Sequence, residues 1–162
     1  MYMHIREAQL QDLDRILEIY EIAKKFMRET GNMNQWNSSY PDRSLLIKDI
    51  QAHQLYVMEN EEVHAVFAFI QGDDPTYKII EGAWLEDSPY GTIHRIASDG
   101  IVHHIMEEAV NYCIKKCPHI RIDTHEDNKV MQKLILRNGF KRTGIIHIAD
   151  GSPRIAFERV SS

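Results

Sequence analysis

From Leu10 onward an apolar side chain recurs every three or four positions, at Leu10, Leu13, Ile16, Leu17, Tyr20, Ala23, Phe26 and Met27. Glu18, Glu21, Lys24, Lys25 and Arg28 fill much of the other face, and Gly31 is a stop signal, so a first helix is expected here. A short strand at residues 4–8 precedes it. After a polar segment carrying Trp36 and Tyr40, Asp42 is placed to cap a short helix containing Leu45, Leu46 and Ile50. The pattern then changes to apolar runs at residues 55–59 and 63–70 around Asn60-Glu61-Glu62, which read as a hairpin. Residues 72–91 hold no long period, and irregular connections of that length inside compact domains are often functional. Beyond them come a strand at 92–98, a helix striped with apolar residues from Ile101 to Cys117 and a strand at 120–124. A helix capped by Asp127 and stopped by Gly139, then closing strands near 140–148 and 154–160, complete the order.

Strand–helix–strand units imply at least one parallel pair and hairpins imply antiparallel ones. The expected fold is therefore α/β, a mixed sheet with helices on both faces, in one domain spanning residues 1–162. Composition agrees, with 43% hydrophobic and 27% charged residues, so neither disorder nor a disulfide-stapled miniature is expected. No apolar run approaches the roughly 18–20 residues of a membrane span, and residues 1–10 contain no signal-peptide core. The two cysteines, Cys113 and Cys117, lie on the apolar helical stripe and read as small core residues of a cytoplasmic, reduced protein. A formal charge of −5 argues against a dedicated nucleic-acid binder and permits cationic partners such as amines.

The run Asp123-Thr124-His125-Glu126-Asp127-Asn128, followed by a helix and then Leu136-Arg137-Asn138-Gly139-Phe140, resembles the GNAT superfamily of acyl-CoA-dependent N-acetyltransferases. Asn34-Gln35-Trp36, Ile93-His94-Arg95-Ile96-Ala97 and Arg121-Ile122-Asp123-Thr124-His125 are similar to one bacterial branch of it. The resemblance implies a mostly antiparallel twisted sheet with a central parallel splay, where the strand at Ile96-Ala97-Ser98 leaves its neighbour near Ile122-Asp123-Thr124. It further implies that acetyl-CoA is the acyl donor. Its pantetheine arm would pair with the backbone of Ile96, Ala97 and Ser98, opposite Asn128. The segment Ile101, Val102, His103, His104, Ile105 and Met106 would receive the pyrophosphate, where free N–H groups and the helix dipole favour anions.

Two departures accompany it. The family loop Q/R-x-x-G-x-G/A falls on Ile101, His104 and Met106, with Gly100 one residue too early, so the pyrophosphate loop is degenerate. The tyrosine that many members place seven residues after the Asn is Ile135, which donates no proton; Tyr77, Tyr90, His94 and His125 are alternatives by residue type. The resemblance implies acetyl transfer to a primary amine, with a non-catalytic binding or sensing module as the competing class.

For the chemistry, His94 is the first candidate general base and Glu81 the second, against structural and surface roles for each. Asp123 and His125 share one face of their strand end, where His125 is also placed to cap the next helix. Gln35 and Trp36 would wall the acceptor side. Asp73, Asp74, Glu81, Glu86 and Asp87 against Lys78 suggest an acidic pocket for a small cationic amine, although a solvated loop and a neutral or peptide acceptor fit the same residues. His103-His104-x-x-Glu107 lacks a third ligand, so no metal is expected. A membrane partner is not expected, and a homodimer is left open.

Overall fold

The amphipathic stripe becomes a short 3-10 turn, Leu10–Asp12, and then helix α1, Leu13–Glu29. The α-helix is delayed because the Asp12 carboxylate accepts the Gln9 N–H at 2.8 Å while Arg6 of strand β1 (His4–Glu7) grips it at 2.8 and 2.9 Å. Helix α2, Arg43–Gln51, is capped as its sequence predicts, with Asp42 Oδ1 accepting the Leu45 N–H at 2.8 Å. Strands β2 (Leu55–Asn60) and β3 (Glu62–Gln71) form the expected hairpin. There follow β4 (Glu81–Gly82), β5 (Gly91–Ser98), helix α3 (Ile105–Ile114), β6 (His119–Thr124), helix α4 (Lys129–Arg137), β7 (Lys141–His147) and β8 (Pro153–Val160). This computed structural model describes residues 3–161, so residues 1, 2 and 162 lie outside the described residues.

Three boundaries differ from the sequence reading. Helix α3 begins at Ile105 rather than Ile101, because Asp99 Oδ1 accepts the Ile101 N–H at 3.0 Å in a turn where Gly100 and His104 both have positive φ (81° and 63°). Ile101 is accordingly exposed and not part of the helical stripe. Helix α4 is capped by Asn128, whose Oδ1 accepts the Met131 N–H at 3.1 Å, instead of by Asp127. Short β4 lies inside the connection that shows no period in sequence, paired with β7.

The sheet order is β1-β2-β3-β5-β6-β8-β7-β4, mixed and mostly antiparallel, with β5–β6 as the parallel pair. Helices α1 and α2 bury Leu13, Ile16, Ile19, Tyr20, Leu46 and Ile50 on one face, against Val57, Val66 and Ala68. On the other face α3 and α4 bury Met106, Val110, Cys113 and Ile135 against Phe67, Ile93 and Ile122. At roughly 1.5–3 kcal/mol per fully buried large aliphatic or aromatic side chain, these two interfaces hold the sheet between its helices. Among the described residues no helix is long and apolar enough to cross a membrane.

What positions the site is the way β5 leaves β6. The two pair only at Gly91↔Ile120 and Thr92↔Arg121. Beyond that point β6 stays paired with β8, and β5 stays with β3. Along β3, Val66 faces Ala97 but Ala68 faces His94, so β5 contains one extra residue, a bulge at Arg95 with φ 53°. Bulges bend a strand and sharpen its twist, which here turns the edge of Ile96–Ser98 away from β6. Gly91, at the root of the fork, is required by packing: a Cβ there would stand 2.3 Å from Cζ of Phe69.

Candidate functional site

Two cavities open on the fork and meet at Met27, Ile96 and Met131. The first, about 470 Å³, is mixed in character and is walled by Gln35, Trp36, Asp74, His94, Asp123 and Arg154 among others. The second, about 290 Å³, is mainly apolar, built from Ile22 and Phe26 of α1, Ala97 and Ser98 of β5, Met106 of α3, and Asn128 and Leu134 of the α4 segment.

In the first cavity His94 Nε2 lies 3.2 Å from Asp74 Oδ2. Asp74 is fixed on three sides: Oδ1 accepts the N–H and hydroxyl of Thr76 at 2.9 and 2.7 Å, and its own N–H donates to Tyr90 Oη at 2.7 Å. Burial alone would raise the Asp74 pKa, but the bonds from His94 and Thr76 outweigh it and hold the carboxyl at about 2. An ionised carboxylate only accepts, so His94 donates through Nε2, and in neutral imidazole the basic lone pair is on Nδ1. Because of the bulge, both His94 and Arg95 line this cavity, and strict side-chain alternation is broken there. Arg95 is itself neutralised by Asp49 at 2.5 Å, with Tyr40 Oη at 3.4 Å.

Asp123 contributes a second carboxyl, accepting the Tyr77 hydroxyl at 2.6 Å. Burial pushes its pKa up, with the His94 charge and the Tyr77 bond offsetting only part of that rise. Gln35 is a tie more than a free contact: its Oε1 lies within bonding distance of Asn32 Nδ2 (3.0 Å), Asn128 Nδ2 (3.1 Å), Thr124 Oγ1 (3.2 Å) and the His125 N–H (3.4 Å). The loop after α1 is thereby fastened to the tip of β6 and the start of α4. Trp36 both rests on the core, edge-on to Tyr20 at 5.7 Å, and lines the cavity.

Other sequence candidates fall elsewhere. Glu81 is exposed on the outermost strand, 3.6 Å from His147, and lines neither cavity. The expected acidic wall from residues 73–90 reduces to Asp74, the only carboxylate of that connection facing the cavity. Of the four alternative proton donors, His94 lines it, whereas Tyr77 and Tyr90 are bonded to Asp123 and Asp74. His125 Nδ1 accepts the Asp127 N–H at 3.0 Å, a local capping bond, and Ile135 is fully buried in the core.

Around the second cavity, Ser98, Gly100, Ile105 and Met106 line the wall, while Ile101, Val102, His103 and His104 form the rim loop outside it. Glu108 is the first residue of α3 whose N–H reaches a helical acceptor, His104 O at 2.9 Å, which leaves the N–H groups of Ile105, Met106 and Glu107 ahead of the helical ladder. His104 takes the left-handed conformation that glycine adopts most readily. Away from both cavities, Glu62, His64 and Asp99 bring three donor atoms within 4.8 Å of one another. The guanidinium of Arg15 already bridges that cluster, 2.6 Å from Asp99 and 3.2 Å from Glu62.

Among solved structures, the chain is similar to an acetyltransferase of the GNAT family from Streptococcus agalactiae 2603, with 31% identity and a TM-score of 0.85 over 99% of this chain and 96% of that one. A GNAT family acetyltransferase from Listeria monocytogenes 4b F2365 matches at 16% identity and a TM-score of 0.70, covering 98% of this chain and 95% of that one. One from Bacillus cereus ATCC 10987 matches at 18% and 0.63, covering 100% and 99%; these last two speak for the fold alone. No family model matches the chain, and no curated protein does.

Proposed function

The chain belongs to the GNAT family of acetyltransferases, and from that premise we propose that it moves the acetyl group of acetyl-CoA to a primary amine by direct attack on the thioester. The observation that carries this reading is the pair of cavities that approach the unpaired edge of β5 and join at Met27, Ile96 and Met131. The apolar cavity suits a pantetheine arm, which would pair with backbone groups of Ile96, Ala97 and Ser98. The free N–H groups at the start of α3, with the loop from Ile101 through His104, would take the pyrophosphate. Asn128 borders the arm, although its amide already serves the α4 cap and Gln35.

The amine would enter through the first cavity. An ammonium is not nucleophilic, so His94 accepts its proton, directly or through water, and Asp74 stabilises the imidazolium that results. The free amine attacks the thioester carbon. Backbone N–H groups on β5 near Ile96 to Ser98 stabilise the oxyanion, and the C–S bond then breaks to release CoA, whose thiolate takes the second proton lost by the attacking nitrogen while the first passes from His94 to solvent. No covalent enzyme intermediate is needed, and both cysteines are buried. Glu81, remote from the cavities, has no part in this scheme.

Calorimetry with CoA and acetyl-CoA, paired with thiol release from an amine panel, tests the reading. Binding with thiol release is expected. Absence of both at about millimolar ligand, a binding free energy weaker than about 4 kcal/mol, would favour a module that kept the fold without the transfer.

A further inference from the structure

Arg154, the second residue of β8, is only 5% exposed, yet it lines the first cavity. Its guanidinium meets three neutral acceptors: Ser152 Oγ at 3.1 Å and Pro153 O at 2.8 Å through Nη1, and Gln35 O at 3.2 Å through Nη2. Arginine has five N–H donors, so two of them, the Nε–H included, have no partner among the described residues. Nor does any described carboxylate oxygen come within 4.0 Å of it. The contrast with Arg95 is direct, since that residue lines the same cavity and its guanidinium has Asp49 at 2.5 Å.

Arginines this buried are ordinarily paired, because an uncompensated charge away from water is destabilising. Asp123 and Asp150 border the cavity but do not close the pair; Asp150 instead accepts the Ser152 N–H and hydroxyl at 2.8 and 2.6 Å. Burial correspondingly pushes the Arg154 pKa down despite those two carboxylates. The cation is also rigid, being tied to the β7–β8 turn and to the loop that carries Trp36. A fixed guanidinium with free donors on a cavity wall is a receptor for an oxyanion, and its fork matches a carboxylate.

Resting on the acetyltransferase reading, we propose that the acceptor is an amine that also bears a carboxylate, as an amino acid does, with the carboxylate on Arg154 and the amine toward His94 and Asp74. This separates the acceptor from polyamines, which offer Arg154 only positive charge. It also separates it from a protein N-terminus, which has no carboxylate beside its amine. A cavity of about 470 Å³ has room for such a molecule.

The test uses the full chain with acetyl-CoA and a matched panel: the standard amino acids, their carboxamides, and the same amines without the carboxyl group, read by thiol release. At least one amino acid is expected to exceed its carboxamide in kcat/KM by about 30-fold or more, the lower end for losing one partner of a buried charge pair. Arg154→Gln should bring that ratio toward one, and Arg154→Lys should keep part of it. Should Arg154→Gln fail to fold, the wild-type ratio decides alone. A wild-type ratio near one across the panel, with thiol still released, overturns the carboxylate assignment and leaves the acetyltransferase reading standing. Thiol release from no amine overturns that reading, and calorimetric titration of amino acid against carboxamide then decides the Arg154 site by itself.

Discussion

Replacing Asp74 by Asn removes one negative charge while leaving an oxygen that can still accept from Thr76. In the mechanism we propose, His94 carries the proton taken from the amine in the transition state, and Asp74 Oδ2, 3.2 Å from His94 Nε2, is its partner. A hydrogen bond to a charged group contributes about 1.5–3 kcal/mol, so kcat/KM should fall between about 10- and 150-fold. The KM for acetyl-CoA should not move, because Asp74 does not line the second cavity. His94→Ala should be the more severe change, about 100-fold or more, and the double variant should be no slower than His94→Ala alone, since Asp74 acts through the imidazole. Two outcomes in a thiol-release assay would refute this reasoning: a loss below about twofold in Asp74→Asn, or losses that multiply in the double variant. A stability measurement checks the same pair independently. The Asp74 pKa lies below its ordinary 3.8, at about 2, so ionised Asp74 stabilises the fold above pH 3.8 and that contribution is lost as pH falls toward 2. The shift corresponds to about 2 kcal/mol as an upper bound. Asp74→Asn should therefore be less stable than wild type by up to that amount at pH 7 in urea, with the gap closing in acid.

Asp123 gives the opposite sign, because burial raises its pKa above 3.8 and the native state keeps a proton that the unfolded chain has released, so stability falls as pH rises through that window. Asp123→Asn, which can still accept from Tyr77, should be more stable than wild type at neutral pH by thermal unfolding, with the advantage shrinking toward pH 3.8. Gly91→Ala should lower stability by about 1–3 kcal/mol, a drop of several degrees in Tm, since its Cβ would enter the Phe69 ring. Glu81→Gln should leave kcat/KM within about twofold of wild type, the normal range for a surface substitution, and a larger loss would return Glu81 to the site.

The fold was legible because its elements depend on local pattern. The α1 stripe, the Asp42 cap and the Asn128-to-Phe140 segment each declare themselves within one short stretch of chain, and their order restricts the sheet to few topologies. The rim loop was misread as helix since Ile101 and Val102 continue the apolar stripe of α3, and only the Asp99 side-chain bond and two positive φ angles interrupt it. Among site residues, His94 stood out by type on a central strand. Asp74 did not, because five acids share its connection, and which one turns inward depends on Thr76 and Tyr90. Arg154 was invisible for a related reason: a cation at the start of a closing strand is ordinarily solvated, and its burial depends on the Gln35 carbonyl, 119 positions away in sequence.

The same long-range dependence explains how an irregular connection can hold the Asp74 carboxylate in place. Residues 72–90 have little regular structure of their own, so their order has to come from the sheet. Arg121 of β6 supplies it, its guanidinium carbon 4.0 Å from the ring centroids of both Trp84 and Tyr90, with Nη2 donating to Glu86 O at 2.8 Å. Glu158 of β8, fully buried, balances that cation at 3.2 Å, accepts the Leu85 N–H at 2.5 Å and pairs with His119. Trp84 in turn donates to Tyr77 O at 2.9 Å, and Tyr90 Oη takes the Asp74 N–H. The Asp74 carboxylate is thus joined to the parallel strand through side chains whose charges and donors are met inside the protein. A buried network of this kind loses its order when one member is left unpaired, so the position of the His94 partner depends on Glu158 and Arg121 as much as on Asp74 itself.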